Sequence, residues 1–70
     1  MNRVRPVWVQ ADGAPVSCRE KLKTLIQNLD EARQVMRDTY EDAILMGVDD
    51  RAIRRALLDI IDGLQNPGRL

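Results

Sequence analysis

Residues 43–53 read AILMGVDDRAI: three large apolar side chains, a glycine, two aspartates, and then a restarted apolar pattern. Paired carboxylates beside a glycine suit either a ligand loop or the corner between two helices. Helix chemistry accounts for every residue of the stretch. Gly47 supplies the left-handed conformation that ends a helix. Asp49 suits the N-cap of a following helix, and Val48 and Ile53 are spaced to pack as a hydrophobic staple. Asp50 falls in the first turn, where the helix dipole favours a negative charge.

Upstream of the corner a heptad is legible. With Leu22 at position a, the a series is Leu22, Leu29, Met36 and Ala43, and the d series is Leu25, Ala32, Thr39 and Met46. Ile26, Val35 and Tyr40 widen the stripe, while Lys23, Gln27, Asp30, Glu31, Gln34, Arg37, Asp38 and Glu41 make the opposite face polar. "SCRE", residues 17–20, spells a capping box in which Ser17 and Glu20 satisfy each other's amides. The first helix is therefore expected over about 18–46, the corner over 47–49 and the second helix over about 50–64. Ile53, Leu57, Ile60 and Leu64 form the second stripe, with Ala56 and Ile61 beside it. Asn66-Pro67-Gly68 is expected to stop that helix, leaving 66–70 as a frayed tail.

Residues 1–16 differ from the rest. Val7 and Val9 alternate with Trp8 and Gln10, and Asp12-Gly13 is a two-residue hairpin turn signal. A small hairpin of residues 4–10 with 14–16 follows, weakened by Pro6 and Pro15, each of which lacks a ladder donor. An extended arm is the competing reading. Either way the arm must dock, because an isolated two-stranded hairpin is barely stable in water.

The fold class is thus all-α: a long–short antiparallel helical hairpin over residues 17–65, with a β-hairpin or extended arm in front. The first helix would run roughly 43 Å and the second roughly 22 Å at 1.5 Å per residue. Folded back, the shorter helix covers only part of the longer one and leaves Leu22, Leu25, Ile26 and Leu29 in need of a cover. Ile44 and Leu45 add apolar surface on outward heptad positions, and Leu58 does so on the second helix. A second copy answers this need: two hairpins pair into a four-helix bundle with Leu22, Leu25, Ile26, Leu29 and Met36 in the dimer core. The outline resembles that of Rop-like helical dimers, in shape alone.

Composition narrows the function classes. Seventy residues form one small domain at most, for which the usual aids to stability are disulfides, a metal or oligomerisation. One cysteine and no histidine leave oligomerisation as the aid at hand, with no cofactor or metal expected. Eleven basic and eleven acidic residues balance overall but not locally. Residues 1–23 hold five cations against two acids, 24–50 two against seven, and 51–70 four against two. No stretch approaches the roughly 20 apolar residues of a membrane span, and no signal core opens the chain, so a cytoplasmic setting is expected.

Three features invite a chemical reading. Cys18, at a helix start near Arg19 and Lys21, could carry a lowered thiol pKa and serve as a redox handle or an intermolecular disulfide. The plainer expectation is a half-buried small residue beneath Val16 and the arm. Asp38, Glu41 and Asp42, with Asp49 and Asp50, lack the alternating oxygen ligands of a calcium loop and read as a solvated acidic face, on which Arg37 pairs with Glu41. Arg51, Arg54 and Arg55 could track phosphates, yet Asp49, Asp50, Asp59 and Asp62 share their element.

With no nucleophile–base pair, phosphate loop or ligand set in the sequence, catalysis is not expected. The leading expectation is a helical homodimer that docks on a larger protein as a regulator, adaptor or accessory subunit. Its docking surface is the corner, Ile44, Leu45 and Val48, rimmed by Arg51, Arg54 and Arg55. The alternative is a Rop-like nucleic-acid-binding dimer that uses the same three arginines.

Overall fold

The computed structural model describes residues 8–68. The expected strand residues 4–7 and the last two residues of the tail lie outside them. Two helices are present, α1 (Arg19–Leu45) and α2 (Asp50–Asp62), and no strand among the described residues. The all-α hairpin holds, with both helices slightly shorter than expected. The chain divides inside α1 into two units, 1–31 and 32–70.

In the first unit the arm turns back on itself through a single bridge, Val9 with Pro15. The expected two-residue Asp12-Gly13 turn is replaced by a three-residue loop. The Gly13 amide donates to the Gln10 carbonyl (2.9 Å) and the Gln10 amide to the Ala14 carbonyl (2.7 Å). Only Gly13 takes positive φ, at 90°, so this is a tight turn closed by one left-handed glycine, and Asp12 is spared that conformation. The Asp12 carboxylate instead accepts from the Ala14 amide at 3.0 Å. Pro15 survives in the pairing because the bonds flanking it run from Gln10 to Ala14 and from Val16 to Trp8 (3.0 Å). Its own missing donor falls at a position where none is used.

The helix then starts one residue later than the capping box implies. The Leu22 amide bonds to the Cys18 carbonyl at 3.0 Å, which places Cys18 and not Ser17 at the N-cap. Val16 is still held by the arm, so Ser17 serves as the connecting residue. Trp8, Val16, Leu22, Leu25, Ile26 and Leu29 are all half-buried.

In the second unit the end of α1 and α2 pack against each other as a hairpin. α1 closes with a Schellman motif. Gly47 adopts φ 91°, its amide donates to the Ile44 carbonyl (3.0 Å), and the Val48 amide reaches the Ala43 carbonyl (2.9 Å). Asp49, extended at φ −61° and ψ 139°, caps α2 by accepting from the Ala52 amide at 3.2 Å. Helix α2 stops at Gly63, short of the Asn-Pro-Gly expected to end it. Glycine loses most conformational freedom in a helix, and the Leu64 amide turns to the Ile61 carbonyl (3.1 Å), tightening the final turn. Residues 66–68, expected to fray, form a local turn in which Asn66 accepts from the Gly68 amide at 2.8 Å.

Ile53 is the one buried side chain among the described residues. Ile60, on the same stripe of α2, remains 65% exposed, and Leu64, expected on that stripe, lies beyond the end of α2 and is 74% exposed.

Candidate interaction surface

The corner is fixed by side chains as well as by caps. Tyr40, half-buried on α1, donates its hydroxyl to the Asp50 carboxylate at the start of α2. The Arg54 Nε donates to the other Asp50 oxygen at 2.9 Å, and its Nη2 lies 3.5 Å from the Tyr40 hydroxyl. The guanidinium also rests over the tyrosine ring, 4.9 Å from its centroid. The Tyr40 hydrogen bond, then Arg54, holds the Asp50 carboxyl below its ordinary value, and Asp50 holds the Arg54 guanidinium above its own. Asp50 therefore does more than complement a helix dipole, and Tyr40 is more than stripe filler. Sequence reasoning missed this clasp. Its only trace there is an i,i+4 Asp–Arg pair following a corner that a tyrosine precedes.

The arginine rim is largely engaged at home. The Arg55 Nε and Nη2 both donate to one Asp59 oxygen at 2.9 and 2.7 Å, and Nη2 also meets Asp62 at 3.3 Å. With Arg54 bound to Asp50, only Arg51 of the three has no ion-pair partner among the described residues. These exposed pairs are individually weak, but they reduce what α2 offers a phosphate backbone.

The expected Arg37–Glu41 pair is not formed; Gln34 donates to Asp38 instead at 2.9 Å. A glutamine amide needs no full side-chain extension to reach a carboxylate four residues on, and an exposed ion pair gains little to offset the ordering of two long chains. No group of three or more potential ligands able to hold a metal occurs among the described residues. No helix there is long and apolar enough to cross a membrane.

The apolar surface is concentrated at the corner. Ile44, Leu45 and Val48 are all exposed, Leu45 at 84%, and Met46 beside them stands 81% exposed. Tyr40, Glu41, Ile44 and Leu45 line an open groove of about 310 Å³ on α1. Of the residues expected in a dimer core, Leu22, Leu25, Ile26 and Leu29 are half-buried and Met36 is exposed.

Cys18 corrects the plainer expectation. It is exposed, not half-buried, because it occupies the N-cap and faces solvent. The backbone amides of Lys21, then Glu20, at the opening of α1 hold the thiol pKa below its ordinary value.

Comparison with protein families, with curated proteins and with solved structures found no match for this chain. Its function has to be argued from its own residues.

Proposed function

We propose that the protein is a small non-catalytic interaction module, a helical homodimer that docks on a larger protein as a regulator, adaptor or accessory subunit. One observation carries this reading. Among the described residues a single side chain is buried, while Leu45, Met46, Ile60 and Leu64 are each at least 65% exposed. Burying four such side chains contributes roughly 6–12 kcal/mol before the costs of association. That is comparable with the entire stability of an ordinary domain, about 5–15 kcal/mol. A hairpin with so little core gains its cohesion from what it binds.

The docking surface is the corner, with Ile44, Leu45 and Val48 at its centre, Met46 beside them and Arg51 as the rim charge left available. A nucleic-acid role has less support, since Arg54 and Arg55 are neutralised by Asp50, Asp59 and Asp62. Sedimentation equilibrium tests the self-association. A dimer is expected at micromolar concentration, and a folded monomer throughout the range would overturn this reading.

A further inference from the structure

The last turns of α1 set an apolar tip inside an acidic bracket. The heptad places Leu45 between Glu41 on one side and Asp42 on the other, with Asp38 two turns back along its own row. Residues 38–50 hold five acids and no cation, and no basic side chain lies in the last turn of α1. A helix C-terminus carries partial negative charge, so the acids gain nothing from the helix that bears them. Nor does a neighbour relieve them: Glu41 and Asp42 have no ion-pair partner among the described residues. Arg54 is already bound to Asp50 and lies over the Tyr40 ring, and Arg37, a turn before Glu41, brings one positive charge against three acids. Apolar surface adjoins the bracket. Tyr40, held by Asp50, forms with Glu41, Ile44 and Leu45 the open groove of about 310 Å³.

We propose that this groove receives a basic amphipathic helix of the larger protein, an apolar side chain seated against Ile44 and Leu45 and lysine or arginine set on Glu41 and Asp42. The inference rests on the docking role proposed above and names the chemistry of the partner. Charge complementarity selects the occupant. The same face of a second copy does not suit it, because a two-fold contact would set Glu41 and Asp42 against acids of their own kind. An anionic membrane surface is repelled by the same acids. A helix with an apolar stripe bordered by cations supplies both complements at once, its anchors three and four residues apart matching the spacing of Glu41, Ile44 and Leu45. The apolar contact then carries the affinity, and the acids choose among apolar helices.

Two synthetic helical peptides test this, alike in their leucine stripe and differing only in flanks of lysine or of glutamate. Titrated into the whole chain and followed by amide chemical shifts, the lysine peptide should move the resonances of Tyr40, Glu41, Ile44 and Leu45. It should bind roughly tenfold or more tightly than the glutamate peptide, with a preference that shrinks as salt is added. The double variant Glu41→Lys with Asp42→Lys should reverse the preference. Both changes favour the helix dipole, so helicity by circular dichroism should hold or rise, which separates lost selection from lost folding. Equal binding of the two peptides at the groove, or a preference that the double variant leaves unchanged, would overturn the acidic selection while keeping the corner as a docking surface. Shifts absent from the groove with both peptides would overturn the corner itself, and this inference with it.

Discussion

Tyr40 and Asp50 join the two helices across the corner, the phenol of one donating to the carboxylate of the other, with Arg54 in reach of both. All three groups are solvent-accessible, so the clasp orients the hairpin more than it stabilises it. Because the Asp50 pKa is lowered on folding, its contribution is fully present above the ordinary carboxylate pKa and is lost as pH falls through the depressed value. Tyr40→Phe removes the largest cause of the shift. The Asp50 carboxyl, followed by NMR titration, should move back toward the ordinary range, and the acid limb of the unfolding curve should move to higher pH. An Asp50 titration unchanged by Tyr40→Phe would mean the clasp is not populated in solution.

Gly47 offers a cleaner backbone test. At φ 91° a Cβ would meet nothing within 4 Å, so any cost of substitution is conformational and not steric crowding. Gly47→Ala is expected to destabilise the hairpin by about 1 kcal/mol in urea unfolding, the usual penalty of a left-handed L-residue. D-alanine at the same position, introduced by chemical synthesis, prefers that conformation and should stabilise by about 0.5 kcal/mol. Equal effects from the two enantiomers would show that the Schellman turn does not govern the corner.

The helices and the corner were legible in the sequence because local rules set them. The Leu22-to-Met46 periodicity, the left-handed Gly47 and the Asp49 cap all act within one or two turns. Boundaries shifted where two local preferences competed: Cys18 took the cap from Ser17 once Val16 was tied to Trp8, and Gly63 ended α2 before Pro67 could. The Tyr40–Asp50 bond was not legible, since it joins residues ten apart whose meeting depends on how the hairpin closes. Ile60 and Leu64 illustrate the opposite limit. Their stripe is unmistakable in the sequence, yet periodicity marks a face without saying what covers it.

Cys18 carries a prediction opposite to the sequence-based one. The backbone amides of the first turn of α1 favour the thiolate, so a thiol-reactive probe should modify the native protein faster at neutral pH than an unstructured peptide spanning Cys18. The midpoint of its rate–pH profile should fall below that of the peptide. The same shift makes folding more favourable above the ordinary thiol pKa, a gain that disappears as pH drops through the lowered value. Identical midpoints for protein and peptide would show that the first turn of α1 is frayed in solution.

Leu45 separates the docking surface from the dimer contact. At 84% exposure it contributes little to the hairpin's own packing, so Leu45→Glu should leave helicity unchanged and the unfolding free energy within about 0.5 kcal/mol of wild type. The dimer should persist, because Leu45 is not among the side chains proposed for its core, Leu22, Leu25, Ile26, Leu29 and Met36. What the substitution removes is the most protruding apolar group of the corner, the kind of anchor on which interface affinity concentrates. A tagged wild-type chain should retain a stoichiometric protein partner from its native cell, and the Leu45→Glu chain should lose at least tenfold of it while sedimenting as a dimer. If the variant instead sediments as a monomer, Leu45 belongs to the contact between copies, and the docking surface has to be sought on the uncovered stripe of Ile60 and Leu64.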